Sequence, residues 1–466
     1  MPNSTVPQFS GMSLLISRRS FIRASTILSA AGIMNLIPGL PAYAEENFDE
    51  IKKLYDTAKI DWQQAKGKTI TLAGEEHPWM AAIVPLIPHF EKLTGIMVKV
   101  EKQSETEYVA AMPIKLAAAS ATPDVYMVWS LGQAISAKWL EPLDVYEANP
   151  ALHDAAWYAA DDVFSSARSF EKGSDGVTYV RAITAEAQTM FYNKSMLEAA
   201  GLAIPVSMDD LLAAAIAMKT VDVAGIAMRA KPSGDANPWT AAGFIFSYGG
   251  AIVTLDGKSG LLMPETIAAV DMYGKLLGKA GPVGISSYHW MECLNDFMAG
   301  AAAIGCDSSN FAADIANPAK SKVVGKATFG ALPSAGGKPA KPNMWHWVAG
   351  INSASANKNA AYLFLMWATS KPTSALAAAA GLATTRASAW QTSAFKDKFG
   401  ADAATAALAN LSAADGDLFK AAWFHPKSGE ILDPLAVAIN EAITGTKDAA
   451  TALKDADIVV TKVLAG

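Results

Sequence analysis

The sequence holds only two cysteines in 466 residues, Cys293 and Cys306. They give no metal-cluster spacing. The six histidines, His77, His89, His153, His289, His346 and His425, are scattered, and none forms a His-Glu-x-x-His set. That argues against a zinc site. No Gly-x-Ser-x-Gly elbow and no Gly-x-Gly-x-x-Gly loop appears, so neither a serine nucleophile nor a dinucleotide site is signalled. A near-match to the phosphate loop before Gly257-Lys258-Ser259 fails, because the spacing needs glycine where Ile252 stands and no strand-loop-helix context surrounds it. No cofactor is expected. Basic runs are also missing: net charge is -6, and a nucleic-acid partner would call for the opposite sign or a basic patch. There is no internal repeat and no low-complexity tract beyond alanine-rich helix faces.

What is present suits a well-buried globular chain, half apolar and 18% charged. Its length predicts two or three domains. The first 44 residues carry Arg18, Arg19 and Arg23 and no acid, which leaves 35 basic residues against 44 acidic ones downstream. Ser17-Arg18-Arg19-Ser20-Phe21-Ile22-Arg23 is similar to a twin-arginine export motif. A mildly apolar segment from Ala24 to Leu40 follows, interrupted by Ser25, Thr26, Ser29, Asn35 and Pro38, poor material for a bilayer span. Ala42-Tyr43-Ala44 supplies a small-x-small cleavage site. The expectation is a signal peptide over 1–44 and a periplasmic protein. With no cysteine at the cleavage site, no lipid anchor is expected. The alternative is an amphipathic start to a cytosolic protein. Export of this kind often carries folded redox enzymes, which keeps an exported enzyme open as a second class.

Along the chain, Thr69–Gly74, Ile96–Val100 and Pro123–Trp129 read as strands. Phe48–Ala65, Met80–Thr94 and Ala110–Ser120 read as helices between and before them. Alternating strands and helices imply parallel pairing through βαβ units, and ligands of such sheets sit beyond the carboxyl ends of the strands. The loops Glu75–Trp79 and Trp129–Gly132 fall there. Thr178–Val180 and Thr189–Tyr192 read as two further strands. Asn193 caps the helix Lys194–Ala200, and Gly201 stops it. Val221–Met228 reads as a strand, Thr240–Tyr248 and Pro264–Leu277 as helices, and Asp256-Gly257 as a hairpin turn. The tail from Asp433 to Leu464 reads as two helices broken at Gly445.

Several of these stretches, in this order, resemble bacterial extracellular solute-binding proteins, the sugar-binding components of ABC importers related to maltose-binding protein. They are Pro123-Asp124-Val125, Leu140-Glu141-Pro142-Leu143, Tyr192-Asn193-Lys194 through Gly201-Leu202, Gly249-Gly250, Phe297 to Gly305, and Ile351-Asn352-Ser353 with Asn357 to Tyr362. The resemblance covers nearly the whole chain after the signal segment. It implies an α/β fold of two lobes, type II-like, each a mixed sheet flanked by helices and joined by several chain crossings. Lobe 1 is expected over 45–175 and 306–350, lobe 2 over 176–305 and 351–466. It implies capture rather than catalysis. The ligand would be a sugar, polyol or short oligosaccharide, the partner an ABC permease, and the protein a monomer. The competing class is a twin-arginine redox protein or a glycosidase.

Sugar and polyol recognition needs aromatic faces against C–H surfaces and planar polar groups against hydroxyls. The 12 tryptophans are a generous supply. Trp345 and Trp347, two apart in a strand-like stretch, share one face and put His346 on the other. Trp239 opens a helix after Pro238, and Trp79 and Trp129 stand at strand ends. Any of them can instead be a packing aromatic. Glu75 and Glu76 follow the first strand, as hydroxyl acceptors or as a solvated turn. Glu186 and Tyr192 flank a strand, and Asp307 follows another. Arg386 falls where the resembled family often has an arginine near the ligand, and it can equally hold a structural ion pair. Cys293 and Cys306 are either bridged or two buried thiols.

Overall fold

The computed structural model describes residues 48–173 and 175–466; the expected export signal lies outside them. Ten strands are formed among the described residues. They are β1 (Thr69–Glu75), β2 (Met97–Gln103), β3 (Val125–Val128), β4 (Val180–Ala182), β5 (Glu186–Asn193), β6 (Ala224–Ala227), β7 (Ala302–Ser308), β8 (Ala327–Gly330), β9 (Met344–Trp345) and β10 (Val348–Ile351). They assemble into two sheets, β2-β1-β3-β10-β4 and β6-β7-β5-β8, with β9 attached to β5. Each sheet, with its helices, is one lobe.

The first sheet grows from βαβ units. β1 runs parallel to β2, from Thr69 opposite Met97 to Glu75 opposite Gln103, and parallel to β3. The crossover helix between β1 and β2 is not the continuous one expected from Met80 to Thr94. Pro85 and Pro88 each lack the N–H that a continuous helix needs, and the segment divides into Pro78–Ile83, a 3-10 turn and Ile87–Thr94. Gly95 ends it at φ 69°. Ser104 and Glu107 form a reciprocal capping box that starts the next helix, Glu105–Ala117. The leading helix stops at Tyr55, short of the expected Ala65.

Two crossings differ from the expected boundaries. Val180 opens no new layer: β4 pairs antiparallel with β10 inside the first sheet, and just before it Thr178 forms an antiparallel bridge with Lys172. The chain leaves only between β4 and β5. β5 then becomes the centre of the second sheet, antiparallel to both β7 and β8. Asn193 caps its following helix, and Gly201 takes φ 66°, as the residues imply. Residues 306–350 were expected in lobe 1. Instead β7 continues to Ser308 against Gln188, and β8 also pairs β5, so the chain stays in the second lobe until β9. Phe297–Ala299 is the end of a helix closed by Gly300, and the strand starts only at Ala302.

Residues 351–379, expected in lobe 2, pack on the first lobe. Phe364 and Trp367 each lie 5.3 Å from Phe90, and Thr373 Oγ1 is 2.8 Å from Tyr55 Oη. These aromatics need a partner layer, and the first sheet's crossover helices supply it. The chain crosses again near Ala383, whose carbonyl accepts from Ala185 N at 2.9 Å. Helix Ala401–Ala413 then covers β5 and β8, where Asn410 Oδ1 accepts from Leu332 N. Helices Ser428–Thr444 and Ala449–Leu464 close the second lobe, separated at Gly445. No helix among the described residues is long and apolar enough to cross a membrane.

Candidate functional site

The strand ends of the two sheets face a shared cleft with an empty volume of about 480 Å³, its mouth included. From the first sheet come Glu75, the last residue of β1, then His77 and Pro78, and Trp129 just after β3. Glu105 joins them from the helix after β2. From the second come Glu186, the first residue of β5, Ser308, the last of β7, and Arg229, Asp235 and Trp239 from the segment after β6.

The crossing between β9 and β10 contributes Trp345 and Trp347. Their rings are 5.4 Å apart at 71°, and Trp129 lies 5.3 Å from the first and 6.1 Å from the second. His346 points the other way, as strand alternation requires. Its Nδ1 is 2.9 Å from the Thr184 carbonyl, which only accepts, so Nδ1 carries the proton. Nε2 then accepts from Ser166 Oγ at 3.1 Å. Burial pushes this imidazole down to about 4, so it is neutral at pH 7.

Glu186 is the most heavily bonded of the carboxylates. It accepts from Thr184 Oγ1 at 2.7 Å and Ser308 Oγ at 2.5 Å, with His77 Nε2 at 3.3 Å. Burial pushes its carboxyl up, but those donors outweigh burial and hold it below the usual range. His77 Nδ1 accepts from Trp79 N, which leaves Nε2 as the donor toward Glu186. Glu75 is the opposite case. Its Oε2 is buried, with no hydrogen-bond partner among the described residues. Burial, with the charges of Glu105 and Glu186 adding to it, pushes its carboxyl well above the ordinary range.

Arg229 makes a two-pronged pair with Asp307, Nε to Oδ2 at 2.8 Å and Nη2 to Oδ1 at 2.7 Å. Its guanidinium sits 4.8 Å from the centre of the Trp239 ring. Asp235 Oδ1 is buried, with no hydrogen-bond partner among the described residues, and its Oδ2 stands 3.6 Å from His289 Nε2. Trp290 stacks on Phe311 at 5.1 Å and donates its indole N–H to Glu105 Oε2 at 2.6 Å, bridging the two lobes.

Of the residues put forward from the sequence, Glu75, Trp129, Glu186, Trp239, Trp345 and Trp347 line the cleft. Asp307 stands just behind it, holding Arg229. The other four lie elsewhere. Trp79 is buried in the core at 1% exposure, because the helix begun at Pro78 turns its ring inward. Glu76 alternates to the outer side of the strand end, 3.6 Å from Lys102. Tyr192 is fully buried in the second sheet. Arg386 is buried at 0% exposure. Its Nε donates to the Thr369 carbonyl and its Nη1 to that of Ala159, and Tyr158 lies beneath it at 4.6 Å. Cys293 and Cys306 are both free and buried, and no disulfide joins them. The first lies against Ala224, Ala227 and Ala302, while Gln188 Nε2 donates to the sulfur of the second.

Sequence reasoning missed His77, Glu105, Arg229, Asp235, Trp290 and Ser308. Arg229 and Ser308 were within reach of the strand-end rule applied to β6 and β7. Glu105 and Trp290 lie on helix N-termini brought together only by the meeting of the lobes.

The model of the bacterial extracellular solute-binding protein family matches residues 73–375. The chain belongs to that family. An erythritol/L-threitol-binding protein of Mycolicibacterium smegmatis is 27% identical over 392 residues, 78% of this chain and 79% of that protein. A mannitol-binding protein of Pseudomonas aeruginosa is 28% identical over 237 residues, half of this chain and 52% of that one. Among solved structures, an ABC transporter solute-binding protein of Agrobacterium vitis with bound D-mannitol aligns with TM-score 0.75 at 25% identity, covering 86% of this chain and 99% of that one. One from Agrobacterium radiobacter in complex with ribitol aligns with TM-score 0.77 at 24% identity, with the same coverage, and supports the fold.

Proposed function

We propose that this protein is the substrate-binding component of an ABC transporter and captures a polyol or small sugar in the cleft between its lobes. The observation that carries the reading is the lining. Five tryptophans, four carboxylates and a paired arginine converge there from both sheets and their flanking segments. Aromatic faces suit the C–H edges of a polyol, and buried acceptors such as Glu75 Oε2 and Asp235 Oδ1 suit its hydroxyl donors. The relatives that bind erythritol, L-threitol and mannitol support the polyol class.

Contacts from both lobes favour a closed form, which a membrane permease would recognise. The protein acts outside the cytoplasm as a soluble monomer, exported through its arginine-pair signal. It neither binds nucleic acid nor converts its ligand. Calorimetric titration of refolded protein with four- to six-carbon alditols, mono- and disaccharides and amino acids tests this. An alditol or sugar should bind near the micromolar level, about -8 kcal/mol, and be recovered unchanged. Binding confined to amino acids, or turnover of the bound compound, overturns it.

A further inference from the structure

Acidic side chains outnumber basic ones along the cleft. Glu75, Glu105, Glu186 and Asp235 line it, and among the described residues Arg229 is the one lysine or arginine that does. Arg229 is already matched by Asp307 through two hydrogen bonds. Lys231 lies on the adjoining groove, with Glu76 and Glu292 beside it. His77 Nδ1 accepts from Trp79 N and His289 Nδ1 from Trp290 N, so each ring already commits one nitrogen to the start of its own helix.

The four carboxylates differ in what they still need. Glu186 has its hydroxyl and imidazole donors, and Glu105 has the Trp290 indole. Glu75 Oε2 and Asp235 Oδ1 have no hydrogen-bond partner among the described residues. Glu75 is 98% removed from solvent, at 2% exposure, and lines the cavity. An unpaired acceptor so deep is costly unless something arriving in the cavity donates to it. A bare metal ion does not fit: among the described residues no group of three or more His, Cys, Asp and Glu is placed to hold one. The tryptophan faces that surround the carboxylates attract an organic cation through the negative face of each ring.

We propose, resting on the reading of this cleft as a polyol site, that it prefers a polyol bearing one protonated primary amine, with Glu75 and Asp235 receiving its N–H donors. A neutral alditol can donate hydroxyl protons to both side chains but brings no positive charge to the acidic groups around it. An ammonium on the same carbon chain supplies donors and a positive charge together. Glu105 and Glu186 add to its attraction from the two lobes without needing to touch it.

The test is calorimetric titration of refolded full-length protein with matched six-carbon ligands: an alditol, its 1-amino-1-deoxy analogue, and the N-acetylated form of that amine. The amine should bind about tenfold tighter than the alditol at low salt, with the gap narrowing as salt rises. Acetylation should abolish the gain. Glu75→Gln and Asp235→Asn should each lower the ratio of amine to alditol affinity by about threefold or more. If either variant fails to fold, the other carries the measurement. An amine bound no tighter than the alditol overturns the amine preference and leaves the polyol reading intact. A preference unmoved by either substitution overturns the assignment to Glu75 and Asp235. No binding of any of the three, with other polyols and sugars also silent, overturns both readings.

Discussion

His77 Nε2 lies 3.3 Å from Glu186 Oε1, tying the loop after β1 of one sheet to the first residue of β5 in the other. The two residues are 109 positions apart and meet where the lobes meet. Thr184 and Ser308 fix the same carboxylate from the crossing strand and from β7. Replacing Glu186 by Gln removes the charge and turns an N–H₂ toward groups that are themselves donors. Glu186→Gln should cost about 2 kcal/mol of stability. The shift of the urea midpoint measures it; a shift within error would mean the carboxylate bears no such load.

Arg386 separates architecture from binding. Its guanidinium donates to two backbone carbonyls and lies 3.6 Å from Asp162, with no part facing the cleft. Arg386→Met should destabilise the fold by about 2–4 kcal/mol, because it strands buried carbonyls. Ligand affinity of the folded fraction should stay within about twofold. Thermal unfolding paired with calorimetry tests both halves, and a large loss of affinity at unchanged stability would return Arg386 to the site.

The tryptophan cluster gives a graded prediction. Trp345 and Trp347 both present to the cavity, with Trp129 against each of them. Trp345→Ala and Trp347→Ala should each weaken polyol binding by about 1 kcal/mol or more, as loss of an aromatic face does. Tryptophan fluorescence titration reads this directly, and unchanged affinity in both variants removes the aromatic platform.

His346 predicts a pH dependence. Its folded value is pushed down to about 4 by burial, against an ordinary 6.5. Above pH 6.5 the ring is neutral in both folded and unfolded chains and contributes no difference. As pH falls from 6.5 toward 4, the unfolded chain takes up the proton first, so stability is lost across that window. The loss from this group approaches roughly 3 kcal/mol below pH 4. Urea midpoints of the wild type and His346→Gln between pH 7 and pH 4.5 should converge as the pH drops. Parallel curves would show that the ring is not held neutral.

The two cysteines should be silent in the native protein. Burial pushes the Cys306 thiol up to about 12 and Cys293 well above its ordinary value, so neither offers a thiolate near neutral pH. No alkylation is expected in the folded state. Two labels are expected after unfolding without reductant, read by intact mass. Zero labels in the unfolded sample would reveal a bridge.

How much was legible depended on range. Local chemistry was read well where neighbours in the chain decide it: Asn193 as a cap, Gly201 and Gly445 as stops, His346 opposite two tryptophans that share a face. Strand ends pointed to Glu75 and Trp129, since the end of a parallel strand is defined by its own apolar run. Misplacements came where a partner far along the chain decides. The stretch from β7 through β9 remains in the second lobe because β5 has two free edges and β7 and β8 fill them. Helix Lys358–Ala368 returns to the first because Phe90 offers its aromatics a buried face.

The chain's own order of apolar runs, caps and breaks thus determined alternating strands and helices and a supply of tryptophans and acids at strand ends, while the two lobes were implied by the family resemblance. Only tertiary structure decided which of them share a cavity. Trp79 and Arg386 carry the same side chains as true cleft residues, and they were withdrawn by a helix turn and by two carbonyls. Glu105 and Trp290, 185 positions apart, were joined by the approach of the lobes. Contact across a cleft depends on how two lobes face each other, and no local pattern encodes that.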